Sequence, residues 1–174
     1  TVTATDQLIL SGADGNRFAS SLQAIANGEG AGGTLRVEAS VIELRDGAFL
    51  TANSAGSSAA STPGAPDPSA PDANIALDVR AGQRLTLSGT NSDGQGSRIE
   101  TTALEQSQGR DIFIEAPVME LTDGATISTA SFGTSTAGEI QIEAKQSLEL
   151  SGGTQITSST QTSAGGKITI NKGN

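Results

Sequence analysis

AGEIQIEAKQSLELSGGTQITSST, residues 137–160, contains three short runs in which aliphatic and polar residues alternate: IQIEA (140–144), LEL (148–150) and QITSS (155–159). Alternation with period 2 is strand spacing, because successive strand side chains point to opposite faces. Gly152 and Gly153 separate the second run from the third, and a Gly-rich SAGGK (163–167) leads onward. Glycine at such places is turn chemistry. The stretch reads as three strands joined by tight turns.

The same shape recurs along the chain. The first run returns as LRVEA (35–39), LDVRA (77–81) and IFIEA (112–116), with TVTA (1–4) at one end and ITINK (168–172) at the other. Its second aliphatic falls at Val2, Val37, Val79, Ile114, Ile142 and Ile170, at intervals of 35, 42, 35, 28 and 28 residues. The base unit is therefore 28 residues, and longer units carry insertions. The second run returns as LIL (8–10), IEL (42–44), LTL (85–87) and MEL (119–121). The third returns as RFAS (17–20), FLTA (49–52), RIETT (98–102) and TISTA (126–130). Helical spacing is confined to SSLQAIANG (20–28), where Leu22 and Ile25 predict one short helical turn.

A repeated unit that cannot bury its apolar face alone stacks on its neighbours. Three strands per unit predict an all-β fold, a three-sided parallel β-helix of about five coils, right-handed by the crossover preference. At about 4.8 Å per strand the six first-run rungs span about 24 Å. Val2, Val37, Val79, Ile114, Ile142 and Ile170 form one predicted inward ladder, and Leu10, Leu44, Leu87, Leu121 and Leu150 another. Ala4, Ala39, Ala81, Ala116 and Ala144 mark a predicted corner where only a methyl fits.

Composition agrees with such an interior. The 174 residues include four Phe, no Trp, no Tyr and 22 Gly, so the core is aliphatic and the turns are many. The net charge of −9 opposes nucleic acid and anionic membrane surfaces, both of which recruit Lys and Arg. No run of 18 apolar residues forms a membrane-spanning helix, so no membrane insertion is expected of this segment. With no Cys there is neither disulfide nor thiolate chemistry.

GGTLRVEASVIELRDGAFLTANS (32–54) and AGEIQIEAKQSLELSGGTQITSST together resemble the repeats of filamentous-haemagglutinin-type proteins, in particular the Asp-Gly-Ala-containing arrays of cyanobacteria. The similarity runs over nearly the whole chain and is weakest over 53–73. The resemblance implies a large secreted protein, exported across the outer membrane by a partner transporter, that serves as a surface adhesin or stalk. An NPNG-type motif of that family's secretion domain is absent, which places the export part outside these residues or leaves it absent.

Candidate chemistry is sparse. Asp46 and Asp123, each followed by Gly, are candidate cation ligands, but Gly152 takes the equivalent place in the last coil and the two Asp fall two coils apart. Calcium needs six to eight converging oxygens, so a turn in which Asp bonds its own backbone is the expectation. Glu120 and Glu149 occupy equivalent outward positions in adjacent coils, as do Glu115 and Glu143. About 5 Å separates such pairs, the spacing of a retaining glycosidase. No aromatic stands beside them to stack a sugar and no His exists as a base, so a solvated charge row is expected, with Arg80 between Glu38 and Glu115 relieving repulsion. Outward pairs on the third run, among them Arg17 with Ala19 and Phe49 with Thr51, are too mixed for a flat Thr array of the ice-binding kind.

The segment 53–74, rich in Pro, Ala and Ser, is too poor in apolar bulk to fold alone and is expected to project as a loop; residues 88–97 and 103–110 are smaller insertions. The expectation is one β-helix domain over 1–174, a piece of a longer array, without cofactor, metal or catalytic residue. Its expected role is structural, as a shaft or adhesin segment of a secreted bacterial surface protein. Self-association through the ends of the stack is one expected partnership, and a carbohydrate or cell-surface ligand another. The alternative is a polysaccharide-binding or polysaccharide-cleaving β-helix that uses Glu120 and Glu149.

Overall fold

Alternating short strands with Gly at the turns determine the architecture seen in a computed structural model, which describes residues 1–12, 19–27, 33–55, 74–104 and 107–173. The first coil holds β1 (Val2–Thr3), β2 (Gln7–Ser11) and β3 (Ser21–Ala26). The second holds β4 (Leu35–Arg45) and β5 (Phe49–Ala55), and the third β6 (Ile75–Ser88) and β7 (Arg98–Leu104). The fourth holds β8 (Asp111–Leu121) and β9 (Thr126–Ser131), the fifth β10 (Ile140–Leu150) and β11 (Gln155–Thr160), and β12 (Ile168–Lys172) follows. The fold is all-β, with no helix among the described residues.

The strands form two sheets of parallel strands. One has seven strands, in the order β1-β4-β6-β8-β10-β12 with β2 also paired to β4; the other has five, in the order β11-β9-β7-β5-β3. Each coil lies directly on the one before it. Val2 pairs with Val37, Val37 with Val79, Val79 with Ile114, Ile114 with Ile142 and Ile142 with Ile170. The Leu ladder from Leu10 to Leu150 and the ladder Leu22, Leu50, Ile99, Ile127, Ile156 are equally continuous. The repeat intervals read from the sequence are thus the strand registers.

The inward residues make one core. Val37, Val79, Ile114, Ile142, Leu44, Leu87 and Leu121 are all fully buried, each worth roughly 1.5–3 kcal/mol before entropy is subtracted. Burial falls away in the last coil, where Leu150 is 46% and Ile170 43% exposed.

Four expectations need correction. The first and second runs of a coil are not separate strands: from the second coil onward they fuse into one strand of 11 or 14 residues. Where the corner was expected the pairing register slips instead, between Ala39 and Val41, between Arg80 and Arg84, and between Ala144 and Ser147. Pro117 sits at this slip in β8, a place where a strand tolerates a residue with no N–H to donate. Second, the third strand of the first coil is not RFAS, of which Arg17 and Phe18 lie outside the described residues. It is β3, with Ser21 paired to Phe49 and Leu22 to Leu50. The predicted helical turn at 20–28 is therefore a strand through Ala26. Leu22, Ala24 and Ala26 match the inward period of β5, and pairing along a whole strand outweighs a single i, i+3 apolar contact. The loop expected at 53–74 also begins later, because Asn53–Ala55 complete β5; residues 56–73 lie outside the described residues.

Candidate functional site

The Asp-Gly turns stack in a row. Asp46 and Asp123 have φ of 56° and 55°, and Gly47 and Gly124 have 83° and 72°. Positive φ at both central residues belongs to the tight turns that Asp-Gly favours. The turns close through Ala48 N to Arg45 O (3.1 Å) and Ala125 N to Thr122 O (3.0 Å). In the fifth coil Gly152 and Gly153 take the same conformation, at 65° and 80°.

Between the two Asp lies Gly89. The Asp123 carboxylate accepts from Gly89 N at 3.1 Å and from Thr122 Oγ1 at 2.8 Å. These two bonds hold the exposed Asp123 carboxyl below the usual carboxylate range. The expected bond from Asp to its own backbone is thus replaced by one that ties neighbouring coils. Among the described residues no three or more His, Cys, Asp or Glu come together where they could hold a metal ion.

The outer face of the seven-stranded sheet carries a ladder of ion pairs. Arg36 Nε donates to Asp78 at 2.7 Å and Arg80 Nε to the other Asp78 oxygen at 2.8 Å. Arg80 also reaches Glu115 at 3.3 Å, and Lys145 pairs with the second Glu115 oxygen. Four successive coils are linked in this way. Asp78 is only 4% exposed although it sits at an outward position; two guanidinium groups cover it and compensate its lost water. Arg80 also lies over the Phe113 ring, 4.7 Å from its centre, and on the other sheet Arg98 lies over Phe49 at 4.2 Å. Arg80 stands between Glu38 and Glu115 in register, as the charge-row reading expects. Glu143 accepts from Asn171 (2.8 Å) and Gln141 (2.9 Å), which hold its carboxyl below the usual range.

Glu120 and Glu149 pair directly in register across β8 and β10. Their row continues through Thr86 to Glu43, whose carboxylate pairs with Arg45. The two carboxylates therefore stand side by side on the outer face of a sheet. A recess does form elsewhere, lined by Thr1, Thr34, Arg36, Ile75 and Asp78, but the Arg36–Asp78 pair already engages its charged side chains with each other. Beside it Arg110 donates to Gly33 O at 3.1 Å and Ile75 O at 2.9 Å, clasping two preceding coils.

Inside the second sheet, hydroxyls replace aliphatics at one inward row. Thr101 donates to Arg110 O at 2.9 Å, Thr129 to Gly138 O at 2.7 Å and Ser158 to Gly138 O at 3.0 Å. Thr101 and Thr129 thus pin the segment leading to the next coil, and Ser158, which also accepts from Gly166 N at 2.7 Å, holds the segments before and after its own coil. Sequence reading passed over these residues, and also over Asp78. The available signal was the recurrence of Thr or Ser two places after the inward aliphatic in three coils. Thr51, expected on the outer face, alternates with inward Leu50 and Ala52 as predicted, yet is only 2% exposed and donates to Asn53 Oδ1 at 2.8 Å. Comparison with protein-family models, with characterised proteins and with solved structures gave no match.

Proposed function

We propose that this chain is a structural segment, not an enzyme: part of the shaft of a secreted bacterial surface protein of the filamentous-haemagglutinin type, wound as a right-handed three-sided parallel β-helix. The observation that carries the reading is the unbroken coil-on-coil register of Val2 through Ile170. It is accompanied by a run of ion pairs on the outer face that links Arg36, Asp78, Arg80, Glu115 and Lys145 from coil to coil. The register slip at the Ala corner and the Asp-Gly turn after the Leu ladder supply two bends per coil, and the return segment supplies the third. Handedness follows from the crossover preference of parallel strands. Repetition of one unit makes end-on stacking of coils the expected mode of growth.

Small-angle scattering of the purified chain tests the shape. A rod with a constant cross-section is expected, and a scattering profile of a near-spherical particle would refute the proposal. A second reading rests on the register pairing of Glu120 with Glu149: a polysaccharide-binding or polysaccharide-cleaving face. Turnover of an acidic polysaccharide that is lost in Glu120→Gln would establish that reading in place of the first.

A further inference from the structure

Arg110 stands just before β8, and its side chain reaches back across two coils. Its guanidinium donates to Ile75 O in the third coil at 2.9 Å and to Gly33 O in the second at 3.1 Å. Thr34 Oγ1 donates to the same Ile75 O at 2.8 Å. Two further bonds stitch this corner of the third and fourth coils: Asp111 N donates to Asn74 O at 3.0 Å, and Asn74 Nδ2 to Gly109 O at 3.3 Å. The Arg110 carbonyl is itself held, accepting from Thr101 Oγ1 at 2.9 Å. Strand pairing joins each coil to its neighbours; Arg110 joins the fourth coil to the second as well.

These bonds are of the stronger kind. Arg110 is half-buried, and hydrogen bonds from an ionised donor are roughly twice as strong as neutral ones. Burial draws its guanidinium below the usual value, against the opposing pull of Asp111, and the carbonyls it meets offset the lost water. The ion-pair run on the outer face is weaker glue, since it ends on Lys145, whose side chain is 63% exposed, and exposed pairs contribute little.

The place of this contact in the stack is specific. Residues 56–74 link β5 to β6, whereas residues 27–34, 105–110 and 132–139 make the same link between other coils. Closing a longer link costs more chain entropy, so the second and third coils are the pair least firmly joined through the chain itself. Arg110 bonds to both coils of that pair. The next coil cannot repeat the device: Gly138 takes the equivalent place there, and a Cβ on it would lie 2.0 Å from Arg110 O.

We propose that Arg110 is a clamp that makes the second, third and fourth coils open as one unit, so that the stack carries the long link before β6 without a weak boundary. Without the clamp each boundary opens by itself, and the one bearing the long link opens first. The fifth coil lies outside the clamp, has Leu150 46% exposed, and opens on its own. The inference concerns the coupling of coils and holds whatever the stack does.

Native-state hydrogen exchange of the whole chain, followed residue by residue through a series of low urea concentrations, tests the proposal. In the wild type the slow amides of β4, β6 and β8 are expected to share one opening with one urea dependence, and those of β10 to exchange faster. Arg110→Lys keeps the charge but loses the fork that reaches two carbonyls. It is expected to split the common opening, with amides paired between β4 and β6 exchanging about tenfold faster and those paired between β8 and β10 unchanged. Arg84→Met, at an exposed arginine of the same sheet, is expected to leave the common opening whole. Trimming the link before β6 until its coil has the 28-residue length of the base unit is expected to restore it in Arg110→Lys. The proposal is overturned if β4, β6 and β8 open separately in the wild type, or if Arg110→Lys leaves their common opening whole. It is equally overturned if Arg110→Lys speeds every amide alike, which would make Arg110 one stabilising contact among many, if Arg84→Met causes the same split, or if the split persists undiminished in the trimmed chain.

Discussion

Gly89 shows how closely the stacked turns fit. Its φ of 69° is open to glycine at no cost, and a Cβ there would lie 2.9 Å from Asp46 N. Gly94 has a similar φ of 77°, but nothing stands within 4 Å of the place its Cβ would take. Gly94→Ala is therefore expected to cost about 1 kcal/mol, from backbone strain alone. Gly89→Ala should cost at least about 2 kcal/mol, because the neighbouring turn must also move; urea denaturation of the two variants measures the difference. Asp111 provides a test in pH. Burial raises its carboxyl above the usual 3.8, against the opposing bond from Glu139 N. A raised folded value means that the acid form is favoured by folding. Its contribution is complete below 3.8 and is lost as pH rises through the folded value. Asp111→Asn, which keeps an acceptor for Glu139 N (2.7 Å), is expected to flatten the rise in melting temperature between neutral pH and that window. Asp123 and Glu143, both lowered, act oppositely, and their contributions fade as pH falls through their depressed values.

At the scale of strands, the ladders were legible in the sequence because a single period, 2, and a single repeat, 28, recur with little noise: Val37, Val79 and Ile114 need no tertiary knowledge to be aligned. In the first coil an insertion made the alignment slip, although the equally long insertion between Leu87 and Ile99 did not. Leu10 and Leu22 are twelve residues apart, whereas Leu44 and Leu50 are six apart, and RFAS offered a strand-like pattern at the expected distance while SLQAIA did not. Hydropathy also could not place Thr101, Thr129 and Ser158 inside, because an inward hydroxyl is identified only by the carbonyl it meets. Asp78 was hidden for the same reason, since its burial comes from Arg36 one coil away and from Arg80 beside it. The charge row itself was legible from spacing, the fusion of two runs into one strand was not. Position within a ladder also sets the cost of a truncation. Leu121→Ala, in a fully buried rung, is expected to lose about 2–5 kcal/mol. Leu150→Ala, 46% exposed on the same ladder, should lose about half of that or less; the midpoints of chemical denaturation compare them.

In the molecule as a whole the strands pair between neighbouring coils, and Arg110 reaches one coil further to Gly33, so its stability should behave largely as a sum over coils and their interfaces. Because Ile114 and Ile142 are register partners, excising residues 114–141 joins Phe113 to Ile142 at an equivalent point of the coil. The shortened chain is expected to fold, with an unchanged β-type circular dichroism spectrum per residue and a lower melting temperature. A chain unfolded after this excision would show that the coils are not interchangeable units.

The parallel register has a mechanical consequence. Hydrogen bonds between coils point from each coil to the next, so a pull that separates the two ends of the stack loads them in tension, a few at a time, instead of shearing a whole strand at once. The stack should then yield stepwise. Each 28-residue coil peeled away adds about 95 Å of slack at full extension, so the proposed shaft should lengthen in steps of that size when pulled.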